Sequence, residues 1–256
     1  MTACRWPLFF VAALAILSQT ARARADPRDD FLAGRTRDCP RCDLSGGNFK
    51  RRDLAGANLT GAVLKGANLH DARLTGAKLA GADLTEANLN KANLARADLA
   101  GATMREAMLY AANLDGAMLA GADLTEAMMG TARLTRSDLT KAKLHNVDLR
   151  KGRLAEAVLV EADLSEAALD FALLRGARLD GASFAQSRLM QAELLGASLK
   201  GADLTEADAL GGNFRGADLT RARLVRTNLR RANLFETKLD GAFFDRTIMP
   251  DGTLRP

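Results

Sequence analysis

From Leu44 to Phe244 every fifth residue is apolar: 34 of these 41 positions are Leu, and the others are Phe49, Met104, Met129, Phe184, Ala209, Phe214 and Phe244. Two residues before each lies a second column, Ala in 31 of 41 cases, with Ser, Gly, Thr, Val or Cys at most of the others. A period of five suits no straight element. Five helical steps of about 100° leave successive Leu side chains roughly 140° apart, and an odd step along a strand alternates faces. Within one unit, however, extended backbone points positions two apart the same way. Ala and the following Leu can both face inward if the chain then turns a corner, so each unit becomes one side of a polygon.

The corners and the number of sides follow from the remaining positions. Two residues after the central site, from Gly46 to Gly241, Gly fills 16 of 40 places and charged or polar residues most of the rest. Gly relieves turns that need positive φ. A longer echo runs at 20 residues: Glu86, Glu106, Glu126, Glu166 and Glu206 share one corner position, and Ala82-Asp-Leu-Thr-Glu-Ala87 recurs at 122–127 and 202–207. Twenty residues are four units, which predicts a four-sided coil.

Tracts such as Ala57-Asn-Leu-Thr-Gly61 and Ala82-Asp-Leu-Thr-Glu86 resemble the A(D/N)LXX signature of pentapeptide repeat proteins, and the likeness runs through almost all of the chain after residue 38. The resemblance implies an all-β fold, a right-handed quadrilateral β-helix with the central Leu and preceding Ala stacked inside. About ten coils at roughly 4.8 Å each would give a rod near 50 Å long. The expected organisation is a signal peptide over 1–25, a lead-in over 26–38, the β-helix over 39–249 and a tail over 250–256.

The first 25 residues break the pattern. Arg5 precedes an apolar run from Trp6 to Leu17, and small residues follow as Ala23-Arg24-Ala25, the order of a signal peptide. The run is too short for a bilayer core of roughly 30 Å. Cleavage after Ala25 is therefore expected, giving a secreted or periplasmic chain. The formal charge of +5 comes from 36 basic and 31 acidic residues. Losing Arg5, Arg22 and Arg24 leaves 33 basic residues and a charge of +2, so net charge points to no nucleic-acid footprint.

Little chemistry is written into the repeat. Cys39-Pro-Arg-Cys42 is the one CxxC; a cap disulfide and two reduced, buried thiols are both open, while a zinc or redox site lacks further Cys or His partners nearby. His70 and His145 fall on different sides of the coil. No cofactor, metal, small-molecule substrate or catalytic residue is expected, because a convex rod offers no desolvated pocket to tune an acid or base.

Three outward features are candidate interaction surfaces. An acidic stripe holds Asp83, Glu86, Glu106, Asp123, Glu126, Asp163, Glu166, Asp203 and Glu206 on one side, interrupted by Lys65, Arg105 and Lys143. A basic cluster of Arg215, Arg221, Arg223, Arg226, Arg230 and Arg231 could meet an anionic surface. Met108, Tyr110 and Met128 put apolar groups where polar ones are expected. Ala209, followed by Leu210-Gly-Gly212, marks a weak point where a bulge or cavity is expected.

The reading with most support is an exported, non-enzymatic scaffold for an unidentified protein partner, of open oligomeric state. The alternative implied by the family is a DNA-mimicking protein that binds a DNA enzyme such as gyrase. The signal peptide and near-neutral mature charge disfavour it.

Overall fold

A computed structural model describes residues 26–256; the proposed signal peptide lies outside them. Parallel bridges join residues 20 apart along four ladders. The first side runs from Asp43 through Asp123 to Arg223, where β1 (Arg223–Val225) pairs in parallel with β2 (Phe243–Asp245). The second runs from Asn48 through Met128 to Ile248, the third from Asp53 through Arg133 to Asn233, and the fourth from Asn58 through Asp138 to Lys238. Each coil is thus a four-sided turn of 20 residues, and the repeat becomes a solenoid.

Local chemistry explains both the side and the corner. The Asp or Asn before the central Leu accepts the backbone N–H two residues on, as Asn88 does from Asn90 at 3.1 Å and Asp83 from Thr85 at 2.9 Å. Where that position is Asp or Asn, these Asx turns start the corner. The next carbonyl bond, Gly47 N–H to Leu44 O at 3.1 Å, closes it. Every fifth residue from Arg41 to Arg246 has positive φ, including Gly121 at 65° but also Phe171 at 59° and Thr131 at 58°. Only Gly adopts this region without a Cβ penalty, so the coil imposes the conformation on many residues that resist it.

Inside, the Leu and Ala columns are buried over nearly their whole length. Polar replacements in the Ala column are matched: Ser137 donates to the Leu134 carbonyl at 2.7 Å, and Thr227 to the Leu204 carbonyl of the preceding coil at 2.7 Å. At the expected weak point the register does not bulge. Asp208 pairs with Asn228 and Asn213 with Asn233 in unbroken ladders. The Phe214 ring occupies the space a Gly212 side chain would need, 2.9 Å from an ideal Cβ.

The two ends are closed differently. At the start, α1 (Pro27–Leu32) is begun by the Asp26 side chain and Pro27 and drives Phe31 into full burial, edge-on to Phe49 at 5.4 Å. Arg52, the one charged residue of the Ala column, lies 4.2 Å over the Phe31 ring and donates to the Phe31 carbonyl. Exposed ladder atoms are capped: Arg28 donates to Asp43 O at 2.7 Å, and Asp38 accepts from Asn58 N–H at 2.7 Å. At the finish, β3 (Thr247–Ile248) folds back antiparallel on β4 (Leu254–Arg255), with Arg255 3.6 Å over the Phe244 ring. Phe235 and Phe243 stay exposed there.

Candidate interaction surfaces

Cys39 and Cys42 form a disulfide with Cα atoms 5.4 Å apart. It ties together the first inward positions of the coil. Among the described residues no group of three or more His, Cys, Asp or Glu side chains is placed to hold a metal ion.

The acidic stripe does lie on the first side, but its carboxylates are largely engaged within the fold. The Asp83, Asp123, Asp163 and Asp203 carboxylates each accept both the backbone N–H and the hydroxyl of the Thr or Ser two residues on. Burial pushes the Asp123 carboxyl up, but the Thr125 bonds together with Arg105 and Lys143 hold it below its ordinary value. Lys65 meets Glu86 at 3.8 Å, Arg105 meets Asp123 at 3.4 Å, and Arg226 pairs with Glu206. Hydrogen bonds from Gln186 and then Arg226 hold the Glu206 carboxyl low. The corner residues Glu106, Glu126 and Glu166 have no ion-pair partner among the described residues.

The six C-terminal arginines are not gathered on one side. Arg223 and Arg226 belong to the first side, Arg230 and Arg231 follow the second ladder, Arg215 the third and Arg221 the fourth. Closeness along the chain becomes dispersal around the coil, because each unit turns a corner. Arg215 also reaches Glu236 at 3.7 Å and lies over the Phe235 ring. The expected basic patch at this end is a belt.

Met108 and Met128 are neighbouring rungs of the second ladder. Met128 and Tyr110 are about half exposed, at 49% and 54%. Gly130 directly follows Tyr110 in the stack, and an ideal Cβ there would sit 3.4 Å from the Tyr110 ring. The missing side chain leaves an open notch of about 300 Å³ between Tyr110 and Arg150, bounded by Thr131, Asp148 and Lys151. Arg150 grips Asp148 through two bonds, at 2.8 and 2.6 Å, and these bonds hold the Asp148 carboxyl below its ordinary value. Since Met108 cannot cap the Tyr110 N–H as Asn would, Asn90 of the coil before does so at 2.8 Å.

A basic concentration that sequence order conceals lies on the third side. Arg133 and Arg153 are adjacent rungs of one ladder. Arg96 and Arg136 occupy one corner column, separated by Gly116, which has no side chain to fill the gap. Together with Asp115 and Thr135 they line a groove of about 420 Å³. Asp115 accepts the Thr135 N–H at 2.9 Å and pairs with Arg133 at 2.5 Å, while Glu156 pairs with Arg136 at 2.9 Å. The signal that could have found these residues is their spacing of 20 and 40.

A solenoid with its Leu and Ala columns turned inward and most of its variation on the outer sides is a surface-presenting repeat protein. The chain belongs to the pentapeptide repeat family, whose pattern matches residues 42–81, 77–116, 112–154, 137–181, 172–208 and 213–249. Among solved structures it is similar to HetL, a pentapeptide repeat protein involved in heterocyst differentiation regulation from the cyanobacterium Nostoc sp. strain PCC 7120. The identity is 33%, over 89% of this chain and 98% of that one, with a TM-score of 0.67. A pentapeptide repeat protein of the Arabidopsis thaliana thylakoid lumen is 31% identical over 46% of this chain and 73% of its own, with a TM-score of 0.28. The plasmid-mediated fluoroquinolone resistance protein QnrB1 is 19% identical over 81% and 93%, with a TM-score of 0.35. No curated protein sequence matches the chain.

Proposed function

We propose that the protein is an exported, non-enzymatic interaction scaffold, a right-handed rod of about ten coils whose second side docks a protein partner at the Tyr110 notch. The observation that carries this is the exposure of Met128 and Tyr110 in adjacent coils, beside a notch floored by Gly130 and edged by Arg150 and Lys151. Met adapts its shape to varied surfaces, and Tyr anchors with little loss of conformational freedom. The matching partner segment presents an apolar side chain for the notch next to a carboxylate for Lys151. The involvement of HetL in a regulatory process accords with a binding role. Export rests on residues 1–25, and a disulfide in the cap accords with an oxidising compartment.

The test places a photo-crosslinking residue at Tyr110 and, as a control, at Ala100 on the fourth side, in cells making the full chain. Expected are an adduct specific to the Tyr110 probe that is lost on Met128→Asp, and mature protein beginning at Asp26. Equal labelling at both probes, or none, overturns the docking site. Mature protein beginning at Met1 overturns export.

A further inference from the structure

We infer that the groove on the third side is a binding site for a tetrahedral oxyanion of the phosphate or sulfate type. Like charges placed opposite one another on adjacent strands destabilise a sheet, yet Arg133 and Arg153 are direct ladder partners. The acids nearby do not balance them. Asp115 and Glu156 answer Arg133 and Arg136, leaving Arg96 and Arg153 without an acidic partner among the described residues. The Gly116 gap keeps the space between the Arg96 and Arg136 corners open.

Guanidinium groups present planar forks of N–H donors that fit phosphate and sulfate oxygens two at a time. A tetrahedral group has enough oxygens to engage more than one fork, whereas a carboxylate, already represented by Asp115, engages one edge. The bound anion would neutralise the Arg133–Arg153 repulsion, so ligand binding and stability are coupled through the same two side chains.

The experiment uses the full mature chain at constant ionic strength, with chloride as the background. Thermal melting and calorimetric titration are run with inorganic phosphate, inorganic sulfate and glycerol phosphate. The wild type is expected to melt higher with phosphate or sulfate than with chloride. Arg153→Gln is expected to melt higher than wild type in chloride alone, to show no further rise with anion and to bind at least tenfold more weakly. Arg230→Gln, on the second side, is expected to bind as wild type does. Tighter binding of glycerol phosphate identifies an ester as the source, and equal binding identifies the free ion. Absence of binding at about 10 mM of all three, or equal binding by wild type and Arg153→Gln, overturns the site.

Discussion

The side-chain oxygen of Asn90 accepts the backbone N–H of Tyr110 one coil further on, at 2.8 Å, supplying the cap that Met108 cannot. The same exchange occurs at three other positions where the residue before the central site is neither Asn nor Asp. Asp115 caps Thr135 beside Arg133, Asp170 caps Met190 beside Arg188, and Asp180 caps Lys200 beside Ser198. Asn90→Ala should therefore cost about 1 kcal/mol. Met108→Asn in the same chain should recover most of it by restoring the local cap. Chemical denaturation of the two variants decides, and a double variant no more stable than Asn90→Ala refutes the exchange.

The Phe49 ring lies where a Gly47 side chain would go, 2.4 Å from an ideal Cβ. Gly47→Ala should destabilise by about 1–3 kcal/mol through overpacking. In a Phe49→Leu background the same change should cost much less. Additive costs in this double-mutant cycle would show that the ring is not the obstacle.

Leu109 and Leu134 are completely buried. Truncating either to Ala should cost about 2–5 kcal/mol, whereas Tyr110→Ala, at the surface, should stay within about 0.5 kcal/mol. Melting curves that rank the three otherwise would place the central column outside the core.

The Cys39–Cys42 bridge closes a very short loop, so its removal should cost only about 2 kcal/mol by the chain-entropy relation. The non-reduced protein should be two hydrogens lighter than the reduced form by mass spectrometry. An unchanged mass on reduction would mean two thiols.

Hydroxyl bonds from Ser45, Thr220 and Thr253 hold the Asp43, Asp218 and Asp251 carboxyls below their ordinary value. Such groups bind protons less readily folded than unfolded, so their contribution is present above about pH 4 and lost as pH falls through the lower folded values. The melting midpoint should be level between about pH 5 and 7 and decline below about pH 4. Thr220→Val should raise the Asp218 titration midpoint seen by NMR. A midpoint that rises on acidification would reverse the assigned sign.

The interior was legible in the sequence because Leu44 to Phe244 never slips register and the 20-residue echo of the Glu corner counts the sides. The ends and surfaces were legible only in part. Residues 26–38 have no period, so nothing announced that α1 would plug the coil with Phe31 and hold Arg52 against it. Arg221 to Arg231 look clustered because they are near in the chain, and corners scatter them. Arg96 and Arg136 look unrelated because 40 residues part them, and two full coils stack them together.

The 20-residue ladder gives each outward side chain two coordinates, a height and a quadrant. A single inserted residue would put every later Leu out of phase with the interior. Five residues inserted between Arg96 and Arg133 would preserve the interior but rotate everything above them by a quarter turn, so that Arg133 and Arg153 no longer shared a quadrant with Arg96. Twenty would preserve both. The surfaces of this rod can therefore be lengthened, spaced or shuffled by adding whole coils, with no redesign of what lies within.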